Sequence, residues 1–340
     1  MSLVARIASL LYGVVTSIRG WMYDRRLLRS YGSSIPVISV GNVTAGGNGK
    51  TPLCMLLVEE LRRRGYRPAV LSRGYGGKLR GPHRVVSSDS PEQVGDEPVL
   101  MASAGIPVFV SRRRVRGIKM IEAQGEFNVV VLDDGFQHRA LRRNVDIVSI
   151  FAGSERAIEE FVRGALLPAG LFRERRDSAL KRASMVVVSF RSVINTDELP
   201  AVDPRLLRLL SASAPVFRSY LKNAGVKSLS DGSRVEPQRV CALAAIANPE
   251  GFFQSLERQG FVLEAKFPFP DHHQFSEGEV LELLNQHPQT RFVCTAKDAV
   301  KLKGCSRQVL ERFAVLHVKA QVVPSDAFFT QVERLLHRSV

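Results

Sequence analysis

The sequence predicts an α/β protein on a largely parallel sheet, in two units of unequal size behind a separate N-terminal helix. Three observations carry that expectation. Short β-branched runs alternate with longer stretches of helical periodicity, the pattern of strand–helix–strand units. One such run, at 35–40, passes through a glycine-rich loop directly into a helix. Residues 1–30 form a compositional unit of their own, apolar at helical spacing and flanked by arginines.

The chain has 340 residues, enough for two domains with a substantial core. No low-complexity tract or solenoid repeat interrupts it. Its formal net charge of +15 calls for an anionic partner: nucleic acid, an anionic membrane surface or a polyphosphate. Few aromatics interleave the basic runs and no nucleic-acid-binding motif is present, so nucleic acid is not expected. Cys54, Cys241, Cys294 and Cys305 are scattered without a C-x-x-C pair. That usage suits a reducing compartment, with neither a disulfide framework nor structural zinc.

In the N-terminal unit, Leu3, Ile7, Leu10, Leu11, Val14, Ile18 and Trp21 share one helical face, with Arg6, Arg19, Arg25, Arg26 and Arg29 around it. The uncharged stretch 7–18 is shorter than the roughly 20 residues that cross a bilayer. No cleavage site marks a signal peptide. The expectation is a helix lying in the membrane interface, each arginine near an anionic surface contributing about 1 kcal/mol. The alternative is a helix packed on its own domain. A first domain at 31–222 follows, with strands at 37–40, 69–72, 129–132, 146–150 and 185–189 and a helix at 52–64 that stops at Gly65. Turn-forming residues at 222–225 and 230–233 separate it from a smaller domain at 236–322. There, strands at 240–246, 261–267, 291–295 and 314–319 alternate with helices at 250–259 and 277–285. The segment 323–340 carries a final helix at 326–337.

The run Gly41-Asn42-Val43-Thr44-Ala45-Gly46-Gly47-Asn48-Gly49-Lys50-Thr51 has the strand–loop–helix setting of a P-loop. Backbone N–H groups of the loop and helix N-terminus cradle phosphate oxygens, Lys50 reaches the β- and γ-phosphates, and the Thr51 hydroxyl sits on Mg²⁺. The strict pattern has glycine where this chain has Thr44. A second element, Val129-Val130-Val131-Leu132-Asp133-Asp134, is an apolar strand ending in acids, as in a Walker B carboxylate site for Mg²⁺; an Asx turn or helix cap is the structural alternative. Together they predict a P-loop NTPase-type domain that binds ATP with Mg²⁺.

Further polar clusters are Ser72-Arg73-Gly74-Tyr75-Gly76, Gly95-Asp96-Glu97-Pro98, Pro168-Ala169-Gly170-Leu171-Phe172-Arg173-Glu174, Asp271-His272-His273 and Thr295-Ala296-Lys297-Asp298. The first two follow the second strand, at the sheet edge that carries the P-loop, where α/β proteins bind ligands. Phosphoryl transfer to an alcohol needs a proton acceptor; Asp96 or Asp134 suits, with a histidine such as His272 orienting it. Asp271-His272-His273 as a metal cluster lacks a third spaced ligand. The run 112–116, four arginines in five residues, reads as a solvated face or part of an anionic-lipid patch.

In their joint order these motifs resemble the tetraacyldisaccharide 4′-kinase family, the lipid A 4′-kinases of Gram-negative bacteria. The resemblance spans nearly the whole chain: V-G-N-x-x-x-G-G-x-G-K-T-P, S-R-G-Y-G, G-D-E-P, D-D-G-F-Q-H, L-L-P-A-G-x-x-R-E, N-P-x-x-F-F, D-H-H and T-x-K-D-A-V-K. It implies transfer of the ATP γ-phosphate to the 4′-hydroxyl of a tetraacylated glucosamine disaccharide 1-phosphate, at the cytoplasmic face of the bacterial inner membrane. By motif position it places Lys50 and Thr51 on phosphate and Mg²⁺, Asp133 and Asp134 as Walker B acids, and Asp96 as base paired with His272. His138, Arg173 and Glu174 are implied as further active-site residues, Glu174 near the metal, with Ser72 and Arg73 beside the same cleft. Departures from the family pattern at Leu171-Phe172, Ala247 and Ala296 remove no charged group. A peripheral monomer with a lipid disaccharide substrate, an anionic membrane surface and no nucleic acid is the resulting expectation. The rivals are a P-loop kinase of a small soluble metabolite and a basic ATP-binding switch protein.

Overall fold

Continuous apolar runs build the centre of the sheet, because strands covered on both faces need no polar alternation. Every residue of Val37–Gly41 (β1), Pro68–Ser72 (β2) and Val129–Asp133 (β5) is buried. His83–Arg84 (β3) and Val108–Val110 (β4) lie between them in sequence, and Val145–Phe151 (β6), Met185–Val193 (β7) and Val216–Ser228 (β8) follow. The remaining strands are Arg234–Val235 (β9), Arg239–Ala244 (β10), Val262–Pro268 (β11), Arg291–Thr295 (β12) and Phe313–Val323 (β13). The computed structural model describes residues 3–46, 49–86, 88–193 and 199–337; Gly47 and Asn48, expected in the phosphate loop, lie outside them.

Among the described residues all these strands join one sheet, in the order β11-β10-β12-β13-β8-β7-β6-β1-β5-β2-β4-β3, with β9 on β8. It consists of two parallel blocks, β4-β2-β5-β1-β6-β7-β8 and β13-β12-β10-β11, which meet through the antiparallel pair β8–β13. That joint differs from the sequence expectation. The turn-forming Asn223-Ala224-Gly225 lies inside β8, where the Asn223 side chain accepts from Gly225 N at 2.6 Å and Gly225 has φ +92°. The strand therefore kinks instead of ending, and the pairing register shifts opposite it, between Leu316 and Val318.

Helix Lys50–Arg63 buries Leu53, Cys54, Leu57, Val58 and Leu61, an i, i+4, i+8 stripe on the sheet. The C-terminal helix Ser325–His337 returns to this first block: Phe328, Val332 and Leu336 join the same core, and Arg64 pairs with Glu333 at 2.7 Å.

The N-terminal helix runs Leu3–Asp24, 22 residues and about 33 Å at 1.5 Å per residue. By length and composition the whole helix could cross a membrane, although its uncharged stretch is only 7–18, with Arg6 and Arg19 inside the helix on either side of it. One face docks on the protein. Ser9 Oγ donates to Leu166 O (2.9 Å), Tyr12 Oη to Arg173 O (2.8 Å), and Arg139 spans Gly20 O (2.9 Å) and Asp24 (2.6 Å). Gly13 makes that approach possible, since a Cβ there would stand 2.7 Å from Leu166 Cδ1. The opposite face leaves Leu3, Val4, Leu10, Leu11, Val14, Val15, Ile18 and Trp21 more than half exposed.

Candidate active site

β1 delivers the chain into the loop from which helix Lys50–Arg63 starts. Gly49 caps that helix at φ +71°, a left-handed conformation that side chains resist. The Asn42 amide donates to Gly46 O at 3.0 Å and ties the loop's two ends. A second segment lies against the loop: Ala45 N donates to Leu171 O (2.7 Å), Arg173 N donates to Val43 O (2.9 Å), and Thr44 bridges Phe172. The segment 168–174 is thereby fixed beside the phosphate loop by backbone bonds, with Phe172 fully buried beneath it.

β5 neighbours β1, so its terminal acids face the helix start. Lys50 Nζ is 3.3 Å from Asp134 Oδ1, and Arg173 Nη1 is 3.1 Å from Asp134 Oδ2. Burial would raise the Asp134 pKa, yet Lys50 and Arg173 together hold it below the ordinary value. Asp134 also sits at φ +50°, a backbone cost of about 1–3 kcal/mol that functional sites commonly carry. Asp133 differs. It is buried, it accepts from Ser72 Oγ at 3.1 Å, and Cys54 Sγ lies 3.8 Å away. Burial, Glu97 and Asp134 push its pKa up to about 6 against Lys50 and Arg114.

Asp96 opens helix Asp96–Ser103, and its partners come from the other parallel block. His272, in the loop after β11 at φ +65°, places Nδ1 2.9 Å from Asp96 Oδ2, while its Nε2 faces Lys297 Nζ at 3.3 Å. With the ammonium donating to Nε2, the ring fits the tautomer that donates from Nδ1 to the carboxylate. Lys301, its side chain fully buried, lies 3.7 Å from Asp96 Oδ2 and 2.9 Å from Asp298 Oδ1. Asp298 is anchored by Ala245 N (3.1 Å) and Thr295 Oγ1 (2.7 Å). Lys297 reaches Glu97 (3.3 Å) and Asp271 (3.5 Å). Burial opposes ionisation of Asp96, but His272, Lys301 and Lys297 prevail and hold its pKa below the ordinary value. The His272 pKa is raised, chiefly by its bond to Asp96.

The structure thus brings Lys50, Asp133, Asp134, Arg173 and Ser72 together, while Asp96 and His272 form a second group whose Glu97 is near enough to Asp133 to help raise its pKa. Thr51 is the second residue of the P-loop helix. Glu174 is engaged elsewhere: Arg182 holds it at 2.8 Å and Gln137 Nε2 donates to it at 3.2 Å. His138 is pushed down to about 4 by burial and by Arg114, Arg143, Arg19 and Arg73, so it is neutral at physiological pH. Its buried Nε2 has no hydrogen-bond partner among the described residues. Arg73 is exposed.

Sequence reasoning included Glu97, Gln137, Lys297 and Lys301 only as members of clusters or motifs and gave none of them a role, and it read Arg114 as surface. Within the run 112–116 expected on a solvated face, Arg114 is buried and donates to the carbonyls of Asp133 (3.1 Å) and Asp134 (3.4 Å). A signal existed, because Arg114, Ile118 and Ile121 fall at i, i+4 and i+7 on the buried face of helix Arg114–Gln124.

A family model described as tetraacyldisaccharide-1-P 4′-kinase matches residues 1–337. Tetraacyldisaccharide 4′-kinase of Syntrophus aciditrophicus is 38% identical, over 96% of this chain and 91% of its own. The enzyme of that name from Shewanella amazonensis is 37% identical, over 97% and 90%. The fold is similar to a crystal structure of the "apo" form of LpxK from Aquifex aeolicus in complex with ATP, with a TM-score of 0.73, 27% identity and coverage of 96% and 97% of the two chains.

Proposed function

The chain belongs to the tetraacyldisaccharide 4′-kinase family, and we propose that its two sheet blocks complete one site, the first holding ATP and the second fixing the proton acceptor. The protein is an ATP-dependent kinase of lipid A biosynthesis that phosphorylates the 4′-hydroxyl of tetraacyldisaccharide 1-phosphate. The division into a P-loop domain at 31–222 and a smaller domain at 236–322 is part of this proposal. The observation that carries it is the hydrogen bond of Asp96 to His272, made between the blocks and beside the acids that face Lys50.

In this reading the phosphates of ATP lie on the loop 44–49 and on the N-terminus of helix Lys50–Arg63, whose dipole and free N–H groups favour anions. Lys50 and Arg173, both on Asp134, supply cationic contacts to charge that spreads over the γ-phosphoryl oxygens in the transition state. The acceptor oxygen forms the new P–O bond as the bond to ADP breaks, and its proton passes to the Asp96 carboxylate. Asp96 is suited to this because Lys301, Lys297 and His272 keep it ionised at neutral pH. His272 is a positioning residue, held by Lys297.

The donor set fits Mg²⁺. It consists of oxygen ligands, and the crowding of Asp133 by Glu97 and Asp134 marks a place short of positive charge. Thr51, Asp133 and Asp134 would hold the ion, which when bound neutralises β- and γ-phosphate oxygens; Glu174, paired with Arg182, would stand behind them. The N-terminal helix would lie in the interface, because a helix hydrogen-bonded along one face to Leu166, Arg173 and Arg139 cannot expose that face to lipid. An anionic membrane surface is then the partner of its exposed stripe and flanking arginines, on the cytoplasmic side where ATP is available.

The test uses full-length protein with γ-labelled ATP and tetraacyldisaccharide 1-phosphate in mixed micelles. Label in the lipid, lost in Lys50→Ala, is expected. Label released only as inorganic phosphate would overturn the reading.

A further inference from the structure

Away from the active site, the second block gathers a cysteine, a carboxylate and a histidine that the kinase reading leaves without a task. Cys241 on β10, Glu264 on β11 and His287, the C-cap of helix Glu277–Gln286, each offer one ligand atom, and these atoms lie within 4.8 Å of one another. The three stand far apart in sequence, so the linear spacing that argued against zinc could not disclose them. A β-bulge brings Glu264 in. Pairing steps from Val240–Leu263 to Cys241–Ala265, which leaves Glu264 as the extra, unpaired residue of the sheet's edge strand. Cys241 is fully buried, whereas the Glu264 and His287 side chains are 27% and 21% exposed, so the group has a closed floor and an open mouth.

Neighbouring groups fix the orientation of these side chains, as the outer shell of a metal site does. Thr290 Oγ1 donates to Glu264 Oε2 at 3.0 Å, which leaves Oε1 to face His287 Nδ1 at 2.7 Å. The imidazole stands edge-on to Phe267 and Phe292, with ring centroids 5.7 and 6.2 Å away. Arg312 Nη2 donates to the carbonyls of His287 and Thr290, both at 2.8 Å, and pins that turn. Arg239 approaches Glu264 from solvent at 3.7 Å, and its 72% exposed side chain is free to swing away. A thiolate, an imidazole and one carboxylate form a borderline-soft set that selects Zn²⁺ over Mg²⁺ or Ca²⁺. Bonds of about 2.0–2.3 Å at a tetrahedral ion set ligand atoms roughly 3.3–3.8 Å apart, so small side-chain rotations close the group on an ion.

We propose that Cys241, Glu264 and His287 bind Zn²⁺, with water in the fourth position, and that the ion clips edge strand β11 and helix Glu277–Gln286 to β10. Cys241 and Glu264 lie near the starts of their strands, whereas Ala245 and His272, which serve the surroundings of Asp96, follow the strands' ends. On binding, the Cys241 S–H bond breaks and its proton leaves to solvent, the Nδ1 proton of His287 moves to Nε2, and bonds from the ion to sulfur, nitrogen and oxygen form; nothing is oxidised or reduced. Full-length, chelator-stripped protein is titrated with Co²⁺ in excess Mg–ADP, which keeps the P-loop acids occupied. A thiolate-to-cobalt charge-transfer band that saturates at one ion per chain and disappears on adding Zn²⁺ is expected. Cys241→Ser should lose the band, and His287→Gln, which alters a part-exposed side chain and spares the buried strand, should weaken Co²⁺ binding at least about tenfold. Zn²⁺ at about a hundredfold excess over its dissociation constant should raise the unfolding temperature of wild type by about 5 °C, and that of either variant by less than about 1 °C. No band in wild type overturns the proposal. A band that survives in Cys241→Ser overturns it too, and moves the ion to another thiol such as Cys54 beside Asp133. If the serine variant does not fold, His287→Gln decides, and Co²⁺ affinity equal to wild type contradicts the site. None of these readouts uses kinase turnover, so this site and the kinase reading stand or fall separately.

Discussion

Replacing Lys301 by methionine removes an ammonium with a fully buried side chain from between two carboxylates, Asp298 at 2.9 Å and Asp96 at 3.7 Å. Methionine matches the stem in length, so packing is largely kept and the loss is electrostatic. Breaking a buried pair by removing one partner costs about 3–5 kcal/mol, because the remaining charge has lost its compensation. Asp298 keeps the donors Thr295 Oγ1 and Ala245 N, which places the expected loss near the lower end, about 3 kcal/mol. At roughly 2 °C per kcal/mol for a long chain, thermal unfolding should begin at least about 6 °C lower. Asp96 loses one of the cations that hold its pKa down, so the acid limb of the kcat–pH profile should move to higher pH. Adding Asp298→Asn removes the orphaned carboxylate and should restore much of the stability while leaving the acid limb shifted. Differential scanning calorimetry and pH–rate profiles of the two variants test this. A single variant with unchanged unfolding temperature and unchanged acid limb would refute the placement of Lys301 as the shared counter-ion.

Asp133 must be ionised to hold a divalent cation, and its pKa is pushed up to about 6. Mg–nucleotide affinity should therefore weaken as pH falls through about 6, with proton release on binding there; calorimetry in buffers of different ionisation enthalpy measures it, and no release would remove Asp133 from the ion's ligands. In the N-terminal helix, Leu10→Ser/Leu11→Ser/Val15→Ser alters residues 64–72% exposed, so stability should hold while partition onto anionic vesicles falls about tenfold or more; equal partition would leave the stripe without a membrane role. His272→Ala should lower kcat about 10- to 100-fold with KM for ATP little changed, since the ring acts through Asp96 and touches no phosphate; a rise confined to that KM would move His272 to nucleotide binding.

What the sequence disclosed and what it hid divide along contact range. The phosphate loop and the acids ending β5 are local signatures, each a strand running into a fixed set of residue types, and their elements stand within a few residues of the expectation. The joint between the blocks was hidden because Asn223-Ala224-Gly225 has turn chemistry, yet pairing with β13 absorbs it as a kink. Lys297 and Lys301 were in a motif already singled out, but a lysine in a short helix reads as solvent-facing until Glu97 and Asp96, both from the opposite block, join the nearer Asp271 and Asp298 around the two ammonium groups. Arg114 stood in a run that looks like surface, and only its register with Ile118 and Ile121 betrayed it. The N-terminal helix was legible as an apolar stripe, whereas its length and its docking through Ser9, Tyr12 and Gly13 depend on partners more than 150 residues away.

The central claim is that Asp96, fixed by groups from the opposite block, accepts the proton of the lipid hydroxyl. Steady-state kinetics of Asp96→Asn on tetraacyldisaccharide 1-phosphate test it most directly, since asparagine keeps the shape and removes the base. The account predicts a fall in kcat of about 10²- to 10⁴-fold with KM for ATP within about twofold. Near-normal kcat, or a change confined to KM, would contradict it.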